Sequence, residues 1–364
     1  MVCSRRWFLA TLPGVCAAAS AGKGALTVSP ATYYNDPSTD LPVLRLTDPG
    51  HSSRLPAHYA RAISKKGNFL LYASDSSGRM EACYLNLKNG QARQLTDAEH
   101  LEASSLTLLP DERGFCYLDG GRLFLSSLSS LRPREVYRPA GGFEAGPGMS
   151  VTDDGLFATV LERDGSRHRL QLVRLMDGSA TTLAEADEQM FDPVPRPRRA
   201  AALYRRAGGL WLANFDAKQN YRLRAAEGKC GVANWSPDGR SVLYLNIPTD
   251  PRKLRNIREL TPDTSEDQAV ADTTQFAAFE RNADASVFVG ASGSKASPFV
   301  LLLVRAVKRE FTLCEHGASD PAMVSPVFSP SSQHVFFTSD RDGKPAIYSM
   351  QVDKLVAKTE ENAP

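Results

Sequence analysis

The sequence predicts an all-β fold made of repeats, and three observations carry that prediction. The first is a recurring phrase: a hydrophobic run, a turn built on Asp-Gly or a relative, a second strand containing Tyr, and a closing strand. Its clearest copy reads Asn68-Phe69-Leu70-Leu71-Tyr72-Ala73-Ser74-Asp75, then Ala82-Cys83-Tyr84-Leu85-Asn86-Leu87, then Ala92-Arg93-Gln94-Leu95-Thr96. Other copies join Trp235-Ser236-Pro237-Asp238-Gly239 to Val242-Leu243-Tyr244-Leu245, and Phe328-Ser329-Pro330 to Val335-Phe336-Phe337-Thr338-Ser339-Asp340 and Ala346-Ile347-Tyr348-Ser349-Met350. The second observation is the period, roughly 45 residues of short strands, which is the signature of a propeller blade. The third is that Val43-Leu44-Arg45-Leu46-Thr47 reads like the closing strand Ala92 to Thr96, while the last unit fades into polar residues. Together they predict a seven-bladed β-propeller closed by an N-terminal strand, which hides the sheet edges.

Taken in order, the chain opens with residues 1–21, where Arg5-Arg6 precedes an apolar run from Trp7 and Ala19-Ser20-Ala21 offers small residues for cleavage. That pattern is a twin-arginine export signal and predicts a periplasmic protein. Cys16 leaves a lipoprotein alternative open. Residues 22–42 read as a linker, 43–357 as the propeller and 358–364 as a polar tail. The seven units are expected at 57–96, 103–137, 147–184, 189–226, 230–260, 276–315 and 323–356. Asp119-Gly120-Gly121, Asp154-Gly155, Asp164-Gly165, Asp177-Gly178, Asp238-Gly239 and Asp342-Gly343 mark hairpin turns, because Gly accepts positive φ without a Cβ clash. The fourth and sixth units carry the weakest signals.

A formal charge of +2 gives no basis for binding nucleic acid, which needs a concentrated basic face. No stretch after the signal is long and apolar enough to span a bilayer, so no integral membrane segment is expected once it is removed. Cys83, Cys116, Cys230 and Cys314 fall in different units without a Cys-x-x-Cys pair, which predicts buried free thiols.

Ser236-Pro237-Asp238-Gly239, Ser329-Pro330 and Ser339-Asp340-Arg341-Asp342-Gly343 resemble the TolB-like propeller repeat. The first unit, the Gly231-to-Gly239 stretch and the last unit also resemble the oligogalacturonate lyase family. That resemblance implies a seven-bladed enzyme cleaving short pectin fragments by β-elimination, with a divalent metal near the channel. In its pattern a His stands three residues before the Trp of the turn, a His-Pro-His-Pro phrase opens the last blade, and a Gln lies just upstream. Here those places hold Val232, Met323-Val324-Ser325-Pro326 and Asp320. Val is no ligand and a thioether suits Mn²⁺ or Mg²⁺ poorly, so no metal and no cofactor are expected.

Residues just before each innermost strand are expected to ring the channel mouth. The ligand-binding candidates are Arg54, His58, Tyr59, Arg61, Glu102, Gln189, Asn234, Arg281 and Asp320, with His100, Asp192 and Lys229 beside them. Arg pairs a sugar carboxylate bidentately, and His is suited to proton transfer near neutrality. Each has a plainer role available as a loop ion pair or a backbone hydrogen bond. No Gly-rich phosphate loop or Gly-x-Ser-x-Gly elbow is present. The expectation is an exported propeller that binds an acidic oligosaccharide or an envelope protein through its channel face without catalysis. The alternative is a divergent oligogalacturonate lyase acting on short uronate oligosaccharides.

Overall fold

A computed structural model describes residues 22–273, 275–353 and 355. The expected export signal and the expected polar tail lie outside the described residues. Among the described residues, thirty strands form seven antiparallel sheets arranged as blades of a propeller. Three strands come from the N-terminal segment: β1 (Leu26–Val28), β2 (Thr32–Asn35) and β3 (Pro42–Arg45). The first blade then takes β4 (Ser53–Arg54) to β7 (Gln91–Gln94), and the second β8 (Thr107–Leu108) to β11 (Pro133–Tyr137). The third runs from β12 (Glu144–Val151) to β15 (Ala180–Ala186), and the fourth from β16 (Met190–Pro195) to β19 (Asn220–Arg222). The fifth comprises β20 (Lys229–Trp235), β21 (Val242–Ile247), β22 (Arg255–Thr261) and β23 (Glu266–Thr273). The sixth extends from β24 (Phe276–Arg281) to β27 (Arg309–Glu315), and the seventh adds β28 (Val327–Phe328), β29 (His334–Ser339) and β30 (Ala346–Gln351).

The ring closes as the sequence predicts. β3 pairs with β30, with Leu44 opposite Ser349 and Arg45 opposite Tyr348. The segment 22–42 is more than a linker, however. β2 extends the last blade through pairing with β3, and β1 extends the first blade by pairing Leu26 with Arg93. The N-terminal segment therefore straps the seventh blade to the first. The fifth blade also extends beyond residue 260, because β23 is its outermost strand.

Packing between blades supplies the core. Each sheet presents apolar residues to both neighbours, because side chains alternate between faces along a strand. Trp235, Tyr244 and Leu260 of the fifth blade pack against Val194, Leu203 and Leu212 of the fourth. Phe337 and Tyr348 of the seventh pack with Val289, Val300 and Leu302 of the sixth. Burying one Phe of this kind contributes about 2–3 kcal/mol. The four described cysteines are free and buried. Burial pushes the Cys83 and Cys116 thiols up to about 12 and Cys230 to about 11, which leaves them unreactive.

The turn after the innermost strand shows why Asp-Gly recurs. Ser236 Oγ donates to Asp238 Oδ1 at 2.7 Å, Gly239 N–H to Ser236 O at 2.9 Å, and Arg240 N–H to Asp238 Oδ1 at 3.0 Å. Gly239 sits at φ +70°, and a Cβ there would meet Pro197 O at 2.6 Å. The sixth blade makes the equivalent turn with Ala285 at φ +61°, and the fourth places Arg198 at φ +59°. Without Gly, these units lose their clearest sequence mark while keeping the fold.

Candidate functional site

The innermost strands share an irregularity that shapes the channel. In the third, fourth, fifth and sixth blades the pairing register slips by a bulge partway along the strand. A bulge twists a strand and re-aims its side chains. The first blade carries the largest departure. Arg54 pairs with Ala73 and Ile63 bridges to Leu70, so residues 55–62 stand opposite Leu71 and Tyr72 alone. This excursion enters the channel. Leu55 N–H reaches Thr338 Oγ1 of the seventh blade at 3.4 Å, and Ala57 N–H reaches Ser104 O of the second at 3.1 Å.

The excursion divides the candidates between two levels. His58, Tyr59, Arg61, Asn234 and Arg281 line one chamber of about 210 Å³, together with Glu280. Asn234 and Arg281 lie at the far ends of β20 and β24, so this chamber is at the opposite end of the innermost strands from their starts. Arg54, Gln189 and Asp320 are exposed near those starts, and Glu102 is half-buried there. The nine candidates therefore do not form one ring.

Most charged groups in the chamber are already engaged. Arg61 donates Nε to Leu108 O at 3.1 Å and Nη2 to Val151 O and Thr152 O at 3.0 and 3.1 Å, while Nη1 reaches Asp153 at 3.3 Å. It staples the first three blades together, and burial lowers its pKa from the ordinary arginine value despite the Asp153 charge. Arg281 donates Nε to Trp235 O at 2.7 Å and Nη1 to Asn282 O at 3.1 Å, tying the sixth blade to the fifth. Asn234 Nδ2 donates to both carboxylate oxygens of Glu280, at 3.2 and 3.0 Å. Glu280 is 8% exposed and was not anticipated from the sequence.

His58 and Tyr59 stand at the centre of the excursion. Their rings meet edge-on with centroids 5.0 Å apart, and His58 Nε2 is buried without a hydrogen-bond partner among the described residues. The Tyr59 hydroxyl is pushed well above its ordinary range by burial first and then by the Asp192 and Glu102 charges, against the pull of Arg205. It is a neutral donor at any physiological pH. Asp192 is held by Arg205 Nε at 2.6 Å.

At the mouth, Glu102 caps a short 3₁₀ turn through Ser104 N–H, and Asp320 caps another through Ala322 N–H at 2.9 Å. The Arg54 side chain makes no hydrogen bond or ion pair among the described residues, and Gln189 and Lys229 are exposed near the starts of β16 and β20. His316 is buried between the sixth and seventh blades. Its Nδ1 accepts from Ala318 N–H at 3.0 Å and its Nε2 lies 3.2 Å from Ser292 O. That pattern fixes the neutral tautomer carrying hydrogen on Nε2.

The chain is similar to known proteins in both sequence and fold. The oligogalacturonide lyase of Pectobacterium atrosepticum is 25% identical over 382 residues, spanning 90% of this chain and 98% of that protein. The oligogalacturonate lyase of Dickeya dadantii is 23% identical, spanning 89% and 96%. An oligogalacturonate lyase solved in complex with manganese superposes with a TM-score of 0.86 at 23% identity, covering 92% of this chain and 99% of that one. No protein-family model matches the chain. The chain is a seven-bladed propeller that resembles the oligogalacturonate lyases.

The donor set does not fit a divalent ion at the places the resemblance points to. Val232 sits in the β20 bulge with its side chain against the core of the fifth and sixth blades. Val324 is fully buried in the core, and Asp320 spends one carboxylate oxygen on its cap. Among the described residues, no three His, Cys, Asp or Glu side chains converge to hold a metal. Tight binding needs several such donors at fixed geometry.

Proposed function

We propose that this chain recognises a short acidic oligosaccharide at the mouth of its channel and does so without metal-assisted elimination. One observation carries the reading: likeness to oligogalacturonate lyases spans 90% of the chain, while the matching positions Val232, Met323 and Ser325 hold no imidazole. Arg54 is a cation whose side chain is free among the described residues to pair a uronate carboxylate, whereas Arg61 and Arg281 are spent on backbone carbonyls. Export by the twin-arginine route to the periplasm belongs to the same proposal, and fractionation of cells expressing the full chain tests it.

A second reading is favoured by the half-buried His58–Tyr59 pair, with His58 Nε2 itself buried: a lyase with its chemistry rebuilt inside the channel. β-Elimination needs a base to take the proton beside the carboxylate. The electron pair then forms a carbon–carbon double bond as the glycosidic oxygen leaves and picks up a proton. His58 Nε2 is the candidate base and the Tyr59 hydroxyl the candidate donor. Incubating the purified protein with digalacturonate, with Mn²⁺ or with EDTA, separates the readings through the ultraviolet absorbance of the unsaturated product. The binder produces none under either condition. Product in EDTA that disappears in His58→Ala selects the rebuilt lyase, and product that requires Mn²⁺ overturns both.

A further inference from the structure

Among the described residues, Asp192 in β16 is the only residue other than glycine that lies inside a strand at positive φ, at +50°. The third blade makes its innermost bulge with Gly146 and Gly148 instead. A left-handed backbone is costly for a residue with a Cβ, although Asp tolerates it better than most. Such a conformation persists only where its surroundings hold it, and here they do. Asp192 Oδ2 accepts from Arg205 Nε at 2.6 Å, and Pro193 O accepts from Thr159 Oγ1 of the third blade at 2.9 Å.

The consequence is the placement of Phe191. Phe191 stands opposite Arg205 and Val194 opposite Leu203, so Asp192 and Pro193 together face Tyr204. Leu203 and Arg205 are two residues apart and share a face of β17. That face is turned to the fifth blade, with Val194 and Leu203 in the core and Phe191 where the core ends, near the start of its strand. Phe191 is 40% exposed, whereas Met190, Pro193 and Val194 around it are buried. Tyr59 of the first-blade excursion packs against the same core, so this face of the innermost strand borders the channel. The Arg205 guanidinium centre lies 5.5 Å from the Phe191 ring centroid. Its Nε is taken by Asp192, while Nη1 and Nη2 make no hydrogen bond or ion pair among the described residues, on a side chain 23% exposed.

An exposed aromatic ring beside an open guanidinium edge matches a ligand that carries both an apolar face and a carboxylate. A galacto-configured uronate has both. Several of its ring hydrogens share one face, and weakly positive C–H groups suit the negative face of an aromatic ring. Its carboxylate suits paired N–H donors. A neutral sugar leaves the guanidinium unmet, and a simple carboxylate leaves the aromatic ring in water.

We propose that Phe191 and Arg205 form a uronate subsite on the channel wall of the fourth blade, with the apolar face of one pyranose ring on Phe191 and its carboxylate on Nη1 and Nη2 of Arg205. The proposal rests on the recognition of an acidic oligosaccharide by this chain. Titration calorimetry on the whole chain in EDTA tests it, with trigalacturonate and its full methyl ester as titrants. Saturable binding of trigalacturonate is expected, weakened about tenfold or more by Phe191→Ser and kept within about twofold by Phe191→Tyr. Arg205→Leu is expected to weaken it to a similar extent. The ester is expected to bind the wild type that weakly too, and it carries the test of the carboxylate if Arg205→Leu does not fold. The melting temperature of Phe191→Ser is expected to hold, because the ring is exposed. The subsite is overturned by undiminished trigalacturonate binding in Phe191→Ser, by ester binding as tight as that of the acid, or by a marked fall in the melting temperature of Phe191→Ser. Arg54→Ala separates this proposal from the reading it rests on. Binding lost in Arg54→Ala yet intact in Phe191→Ser leaves recognition at the mouth standing without the subsite, whereas no binding to the wild type overturns both.

Discussion

Arg54 and Arg61 flank the same excursion of the first blade, and they play opposite parts. Arg61 gives its guanidinium to the carbonyls of Leu108, Val151 and Thr152 and is lost to any ligand. Arg54 is exposed and its side chain engages nothing among the described residues. The difference teaches that a cluster of cations in sequence becomes a site only once the partners of each are counted. The same contrast separates the far chamber, dense with inter-blade staples, from the open mouth.

The largest test of that contrast is Arg61→Ala. It removes hydrogen bonds to three backbone carbonyls at a junction of three blades, of which Thr152 O keeps its bond from Gly155 N–H, so unfolding in urea should show a loss of about 2–3 kcal/mol. The ion pair to half-exposed Asp153 adds little to that figure. A loss within experimental error would mean that Arg61 is not a staple. Arg281→Ala strands fewer groups, and about 1–2 kcal/mol is expected in the same measurement.

His316 sharpens the contrast through pH. Burial lowers its pKa below the ordinary 6.5, and protonating Nδ1 would break its bond to Ala318 N–H. The unfolded chain therefore binds a proton that the native state refuses. Its contribution is complete above pH 6.5, is lost as pH falls from there toward the lowered native value, and is level below that. Melting temperatures from pH 8 to pH 5 should fall less steeply in His316→Gln than in the wild type, and parallel curves would contradict this. The smallest stability effect belongs to Arg54→Ala, expected within about 0.5 kcal/mol as for other exposed sites. A larger loss would place Arg54 among the staples.

The ring was legible because strand and turn chemistry repeat: Gly155 and Gly239 mark their turns, and inward residues alternate. The linker reading of 22–42 failed because β1 and β2 are short, mostly exposed and paired with distant partners such as Arg93 and Arg45. No local pattern encodes such pairing. β23 was missed for a related reason. As an outer strand it reads Glu266-Asp267-Gln268-Ala269, with little of the apolar alternation that betrays an inner one. The site was less legible still. Counting residues before each innermost strand assumes a regular strand, whereas the excursion of residues 55–62 carries His58 and Tyr59 into the channel. Glu280 has no sequence signal, because its meaning lies in what is bonded to it.

The most direct test of recognition at the mouth is calorimetric titration of trigalacturonate into the wild-type chain and Arg54→Ala, both in EDTA. Metal-independent recognition predicts binding to the wild type that weakens with added salt and is lost in Arg54→Ala with the melting temperature unchanged. Binding that appears only when Mn²⁺ replaces EDTA, or that is equally strong in Arg54→Ala, would contradict it.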